Sequence, residues 1–142
     1  MEWIGVDLDG TLAHYESGQY PEIGEPIEPM LKRVHDWLDA GREVRILTAR
    51  AAHGEEDIKR VTAWLEKVGL PRLQVTSQKD PDMEVLWDDK VVQVRPNTGE
   101  PIVDQFLQES LARTLTISKK RKKTDSNSFE LMASLEKDSK GE

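Results

Sequence analysis

Strand-like and helix-like segments alternate along most of this chain, and that alternation restricts the folds open to it more than any other feature. Residues 3 to 8, "WIGVDL", read as a short strand apolar enough to be buried on both faces. A helix follows over 28 to 40, with Pro29 in its first turn, Met30, Leu31, Val34, Trp37 and Leu38 at helical spacing, and Gly41 as its stop. "EVRILT", 43 to 48, is a second strand. A second helix opens with the acidic residues after Gly54, carries Ile58, Val61, Leu65 and Val68 on one side, and ends at Gly69. Strands at 73 to 77, 84 to 88 and 91 to 94 come next, and a last helix starts near Ile102 with Phe106, Leu107, Leu111 and Leu115 on one side. Alternating units of this kind predict an α/β three-layer sandwich: a mostly parallel central sheet of about five strands with helices on both faces.

The chain of 142 residues is sized for one domain, 1 to 116, followed by a polar, Lys-rich tail, 117 to 142, that reads as disordered. That tail holds 7 of the 20 basic and 5 of the 27 acidic residues, so the body carries a net charge of −9. A body so acidic is a poor general binder of phosphate backbones, and any phosphate it handles needs a local device. No apolar run approaches a membrane span, and the N-terminus lacks the basic and long apolar regions of a secretory signal. With no cysteine there are no disulfides, thiolate nucleophiles or cysteine metal sites, and a cytoplasmic setting is the expectation.

In an open parallel sheet, ligands bind beyond the carboxyl ends of the strands. The first strand ends there in "DLDGT", the second at Thr48 and the fourth at Asp88 and Asp89, with Lys79 in the loop before it. Crowded carboxylates coexist when a hard cation neutralises them, and Mg2+ is suited to oxygen ligands. The Thr48 hydroxyl, the Lys79 ammonium and backbone amides at the turn through Gly10 and Thr11 are donors suited to a phosphoryl group. Because cysteine is absent and His14, His35 and His53 fall away from the strand ends, a carboxylate is the best available nucleophile. Asp7 attacking phosphorus forms an aspartyl-phosphate, and Asp9 is placed to protonate the leaving oxygen and later activate water.

The motif "DLDGTLA", with "RILTAR", "SQKDP" and "VLWDD" after it in that order, resembles the haloacid dehalogenase superfamily over about residues 3 to 116. The resemblance implies a Rossmann-like fold and a Mg2+-dependent phosphatase. It assigns Asp7 as nucleophile and metal ligand, and Asp9 as acid and base with its carbonyl on the metal. Thr48 and Lys79 then hold phosphate, and Asp88 binds the metal with support from Asp89. Gly10, Thr11, Ala49 and Arg50 join the substrate contacts, with His14, Tyr15 and Tyr20 nearby. The acid at position 9 points to phosphate esters rather than carbon–halogen bonds. Only 18 residues, Leu12 to Pro29, separate the first motif from the body of the first helix, so no cap domain is expected. An open site admits a small phosphorylated molecule or a macromolecular end, and a second copy of the chain is one way to cover it.

Plainer readings compete at each position. A lone Asp-x-Asp is usually a turn, Thr48 a strand end, Lys79 a solvated charge, and His53 a residue before a helix. Trp3, Trp37, Trp64 and Trp87 read as core or boundary aromatics. "KKRKK", 119 to 123, has the composition of a nucleic-acid patch, although such runs are more often solubilising. Two alternatives to a general phosphatase follow: a non-catalytic phosphate-binding or regulatory module, and a 3′-phosphatase acting on nucleic-acid ends.

Overall fold

The computed structural model describes residues 1–103 together with 109, 112 and 113. Its regular elements are β1 (Trp3–Val6), α1 (Glu28–Asp39), β2 (Glu43–Leu47), α2 (Glu55–Lys67), β3 (Gln74–Thr76) and β4 (Met83–Trp87). A short 3₁₀ turn, Ala49–His53, leads from β2 towards α2. The chain divides into two compact units, Met1–Val91 and a second beginning at Val92, and all the elements named above belong to the first.

The strands form one four-stranded parallel sheet in the order β3-β2-β1-β4. Val6 lies opposite Ile46 on one side and Trp87 on the other, while Leu47 lies opposite Thr76. The carboxyl ends are therefore level, and the residues that follow them emerge along one edge.

Side-chain alternation decides what each face does. Ile4 and Val6 of β1 and Val44 and Ile46 of β2 share one buried cluster with Met30, Leu31 and Val34 of α1 and Val61, Trp64 and Leu65 of α2. Both helices therefore pack on the same face, as right-handed crossovers require when β1, β2 and β3 step in one direction across the sheet. At the end of α1, Gly41 adopts a φ of +80°, its amide bonding the Leu38 carbonyl while the Arg42 amide bonds that of Trp37. This Schellman-type stop turns the chain directly into β2.

The opposite face is built differently. Trp3 is fully buried there, with the Arg45 guanidinium 4.5 Å over its ring. Its indole N–H donates to Asp80 at 2.8 Å, and Arg45 bonds both Glu43 and Asp80. The indole bond first, then the Asp82 amide and Arg45, hold the Asp80 carboxyl below its ordinary range. Among the described residues no helix packs on this face. The described part is thus two layers of an α/β fold.

The expected fifth strand does not form. Of residues 91 to 94 only Val94 pairs, in a single antiparallel bridge with Pro101. Two turn residues with positive φ, Asn97 and Gly99, fold this stretch back on itself, so the Ile102 amide bonds the Gln93 carbonyl. Ile102 is accordingly not helical. Beyond position 103, the remainder of the expected last helix, to Leu115, and the tail from 117 lie outside the described residues save for positions 109, 112 and 113.

Candidate active site

The strand ends bring together most of the residues singled out above. Asp7 follows β1 directly, and its amide bonds the Trp87 carbonyl at 2.9 Å, which sets Asp88 beside it. Asp7, Asp88 and Asp89 each direct a carboxylate oxygen to within 4.8 Å of the others. Burial first, then the negative charge of Asp88 and contact with Asp89, push the Asp7 pKa from 3.8 up to about 7. Thr11 reaches Asp89 at 3.4 Å and Asp7 at a marginal 3.5 Å.

The turn after β1 fits tightly against this cluster. Gly10 has a φ of +88°, and a Cβ there would lie 2.3 Å from an Asp89 oxygen. Both the backbone angle and the space therefore demand glycine. The Gly10 amide donates to the Ala13 carbonyl and the Thr11 amide to that of Leu8. The turn's amides expected to hold phosphate are thus occupied at these two positions.

The Asp9 carboxylate lies outside this cluster, and its partner is Arg50. The guanidinium donates from Nε to Asp9 Oδ2 at 2.7 Å and from Nη2 to Oδ1 at 3.0 Å. It also donates to the carbonyls of Pro21 and Glu22 at 2.7 and 2.9 Å. Only 4% of Arg50 is exposed, and bonding to Asp9 first of all raises its pKa further. The sequence placed Arg50 as a substrate contact; the structure makes it chiefly a clamp between Asp9 and the loop after β1. Every described bond of that guanidinium is internal, because folding carries Pro21 and Glu22 beneath it.

Thr48 is buried at the end of β2. Its amide bonds the Thr76 carbonyl, and its hydroxyl accepts from the Arg50 amide at 3.2 Å, capping the 3₁₀ turn. Asp7, Asp9, Leu47, Thr48, Ala49, Arg50 and Asp88 line one cavity of about 550 Å³ together with Tyr15, Tyr20, His53, Ser77 and Lys90.

Lys79 is not among those lining residues. Asp80, next to it, is held by Trp3 and Arg45, and Asp82 accepts from the Trp3 amide at the opposite end of β1. The loop between β3 and β4 thus runs away from the cavity. Lys90 is the lysine that lines the cavity, its backbone placed by the bond from its amide to Asp88 Oδ1 at 2.7 Å. Its place directly after "WDD" was the available signal. Tyr15 and Tyr20 do line the cavity, whereas His14 does not.

A second group went unread in the sequence. Asp57, 4% exposed in the first turn of α2, accepts from the Tyr20 hydroxyl at 2.6 Å and contacts His53 Nδ1 at 3.0 Å and Arg60 at 3.2 Å. These bonds, the Tyr20 hydroxyl's above all, hold the Asp57 carboxyl below its ordinary range and raise the Tyr20 phenol. His53 and Asp57 are four residues apart, the spacing of neighbours on a helix face, but nothing local predicts Tyr20.

The donor set suits a hard divalent cation: three carboxylates converge, and no ion pair neutralises them among the described residues. The Asp9 carboxylate is not part of this group; the metal contact expected of Asp9 is through its backbone carbonyl. No family model, curated protein or solved structure matches this chain.

Proposed function

We propose that the chain is a Mg2+-dependent phosphatase that hydrolyses a phosphomonoester through an aspartyl-phosphate, in the manner of a capless haloacid dehalogenase superfamily member. The observation carrying this reading is the convergence of Asp7, Asp88 and Asp89 at the edge of a cavity that Thr48 and Lys90 also line. The central position of β1 in the order β3-β2-β1-β4 supports the Rossmann-like form of that fold. Between β1 and α1 there is only a loop, and between β2 and β3 only the 3₁₀ turn and α2, which agrees with the absence of a cap.

Asp7, Asp88 and Asp89 would hold the cation, which supplies positive charge against the phosphoryl oxygens and keeps Asp7 ionised. An Asp7 oxygen attacks phosphorus as the ester P–O bond breaks, and the leaving oxygen takes up a proton. The Thr48 hydroxyl and the Lys90 ammonium bind the remaining phosphoryl oxygens. Water then attacks phosphorus, phosphate departs, and the Asp7 carboxylate is restored. Asp9, which lines the same cavity as Asp7, would move both protons, but each of its oxygens accepts a bond from Arg50. Proton transfer there requires one of those bonds to open, so Arg50 governs when Asp9 acts.

The test is hydrolysis of an aryl phosphate by the natural chain and by Asp7→Asn, each with Mg2+ and with EDTA. The expected result is turnover only by the natural chain with Mg2+, with a loss of at least about 10³-fold on substitution. Activity that survives both the substitution and EDTA defeats the mechanism.

A further inference from the structure

The cavity has a second wall that phosphoryl transfer does not use. We infer that Tyr15, Tyr20 and His53 form a subsite for a neutral, flat aromatic ring carried by the leaving group of the ester, an inference that rests on the phosphatase reading. These three side chains line the same cavity of about 550 Å³ as Asp7, Asp9 and Asp88. Such a volume accommodates a phosphate together with one ring system.

Tyr15 and Tyr20 remain 47% and 48% exposed, so their rings are available at the surface rather than consumed by the core. Tyr15 makes no side-chain hydrogen bond or ring contact among the described residues. Tyr20 is fixed: its hydroxyl is bonded to Asp57, its ring meets His53 edge-on at 5.7 Å and 90°, and Arg50 lies 5.2 Å from its centre. The loop bearing both tyrosines is tied down by Arg50 through the carbonyls of Pro21 and Glu22, and by the Trp64 indole through that of Gly24. A wall already held in place costs little further ordering when a ligand binds.

Charge narrows the occupant further. The Arg50 guanidinium is matched by Asp9, and His53 faces Asp57, so neither is a spare cation for a second anionic group. Lys90 lines the cavity, but one ammonium suits one phosphate. With a body of net charge −9, a polyanionic chain is disfavoured and a monophosphate whose remainder is uncharged and planar is favoured. Aromatic faces bind such rings by offset stacking.

The decisive comparison is adenosine 5′-monophosphate against ribose 5-phosphate, which share a primary alkyl leaving oxygen and differ in the base. Phosphotyrosine provides the other source of a flat ring. For the natural chain with Mg2+, kcat/KM for the nucleotide is expected to exceed that for the sugar phosphate by about tenfold. Tyr15→Ala should bring that ratio towards one, and Tyr15→Phe should restore it. The same ratio is read without turnover as Kd values by calorimetry on Asp7→Asn. A lower Kd for the nucleotide than for the sugar phosphate identifies a base as the ring, and a lower Kd for phosphotyrosine identifies a phenol, binding being free of the leaving-group difference between aryl and alkyl esters; either supports the subsite. Kd values for the nucleotide and for phosphotyrosine both equal to that of the sugar phosphate, with the sugar phosphate still turned over, overturn it while leaving the phosphatase standing. Ring-dependent binding without turnover of any ester removes the phosphatase and keeps the subsite.

Discussion

Asp7 and Asp9 leave the same strand end two residues apart and meet opposite electrostatic circumstances. Asp7 is partly buried beside Asp88 and Asp89, and burial first, then the charge of Asp88 and contact with Asp89, raise its pKa to about 7. Asp9 meets the Arg50 guanidinium through two parallel bonds. One carboxylate is completed by the fold; the other calls for a cation from outside. Strand alternation would set positions two apart on one face, but the chain turns at Leu8 and so parts the two environments, which lets a single turn carry a metal site and a structural clamp.

The sharpest break in that contrast is Arg50→Ala. It leaves Asp9 without its partner and two carbonyls without donors, and the loss should be about 3–5 kcal/mol in urea unfolding. Arg50→Lys should recover only part, because an ammonium cannot reproduce the fork.

A smaller effect of the opposite character concerns Asp7. Its folded pKa lies above the unfolded value, so Asp7's contribution to the stability of the metal-free protein is fully present below pH 3.8 and is lost as pH rises through about 7. Allowing for partial solvent contact, the loss is on the order of 2 kcal/mol. Saturating Mg2+ should oppose it by binding the ionised form, so the Mg2+-induced rise in Tm grows between pH 5 and pH 8, about one unit beyond the usual carboxylate range and one above the shifted value. A Tm shift independent of pH would contradict the assignment.

Asp88→Asn tests the same repulsion from the other side. It retains an oxygen for the Lys90 amide but removes a charge beside Asp7. The metal-free protein should gain about 1 kcal/mol while its response to Mg2+ weakens, both visible in thermal melts. Tyr20→Phe gives a comparably small change, about 0.5–1.5 kcal/mol in urea unfolding, because it removes the hydroxyl's bond to Asp57 and its 3.3 Å contact with His53 while Asp57 keeps His53 and Arg60.

The parts of this arrangement that were legible in the sequence are those set by local periodicity. The four strands and two helices that form lie within a few residues of their expected places, and Asp7, Thr48 and Asp88 emerge at the edge to which strand order assigns them. Contacts that depend on how a loop closes were not legible. Arg50 follows Thr48 in a way that suggests a ligand contact, and only the folded loop shows Pro21 and Glu22 accepting its N–H groups. Lys79 drew attention through spacing, whereas the anchoring of Asp80 and Asp82 near Trp3 leads its loop off the cavity and leaves Lys90 there. The Tyr20, His53 and Asp57 group spans two elements and leaves no periodic trace. Residues 91 to 94 have strand composition, but the turn after them directs Gln93 and Val94 to Ile102 and Pro101.

Trp87, the residue immediately before the acidic pair, lies 5.3 Å from Trp37 with Arg33 over its ring. An indole that is partly in water, tilted against a second indole and joined by one peptide bond to Asp88 is a built-in optical probe. Rearrangement of the carboxylates should alter its emission and the near-ultraviolet dichroism of the pair, giving an intrinsic signal of cation arrival in the unlabelled protein.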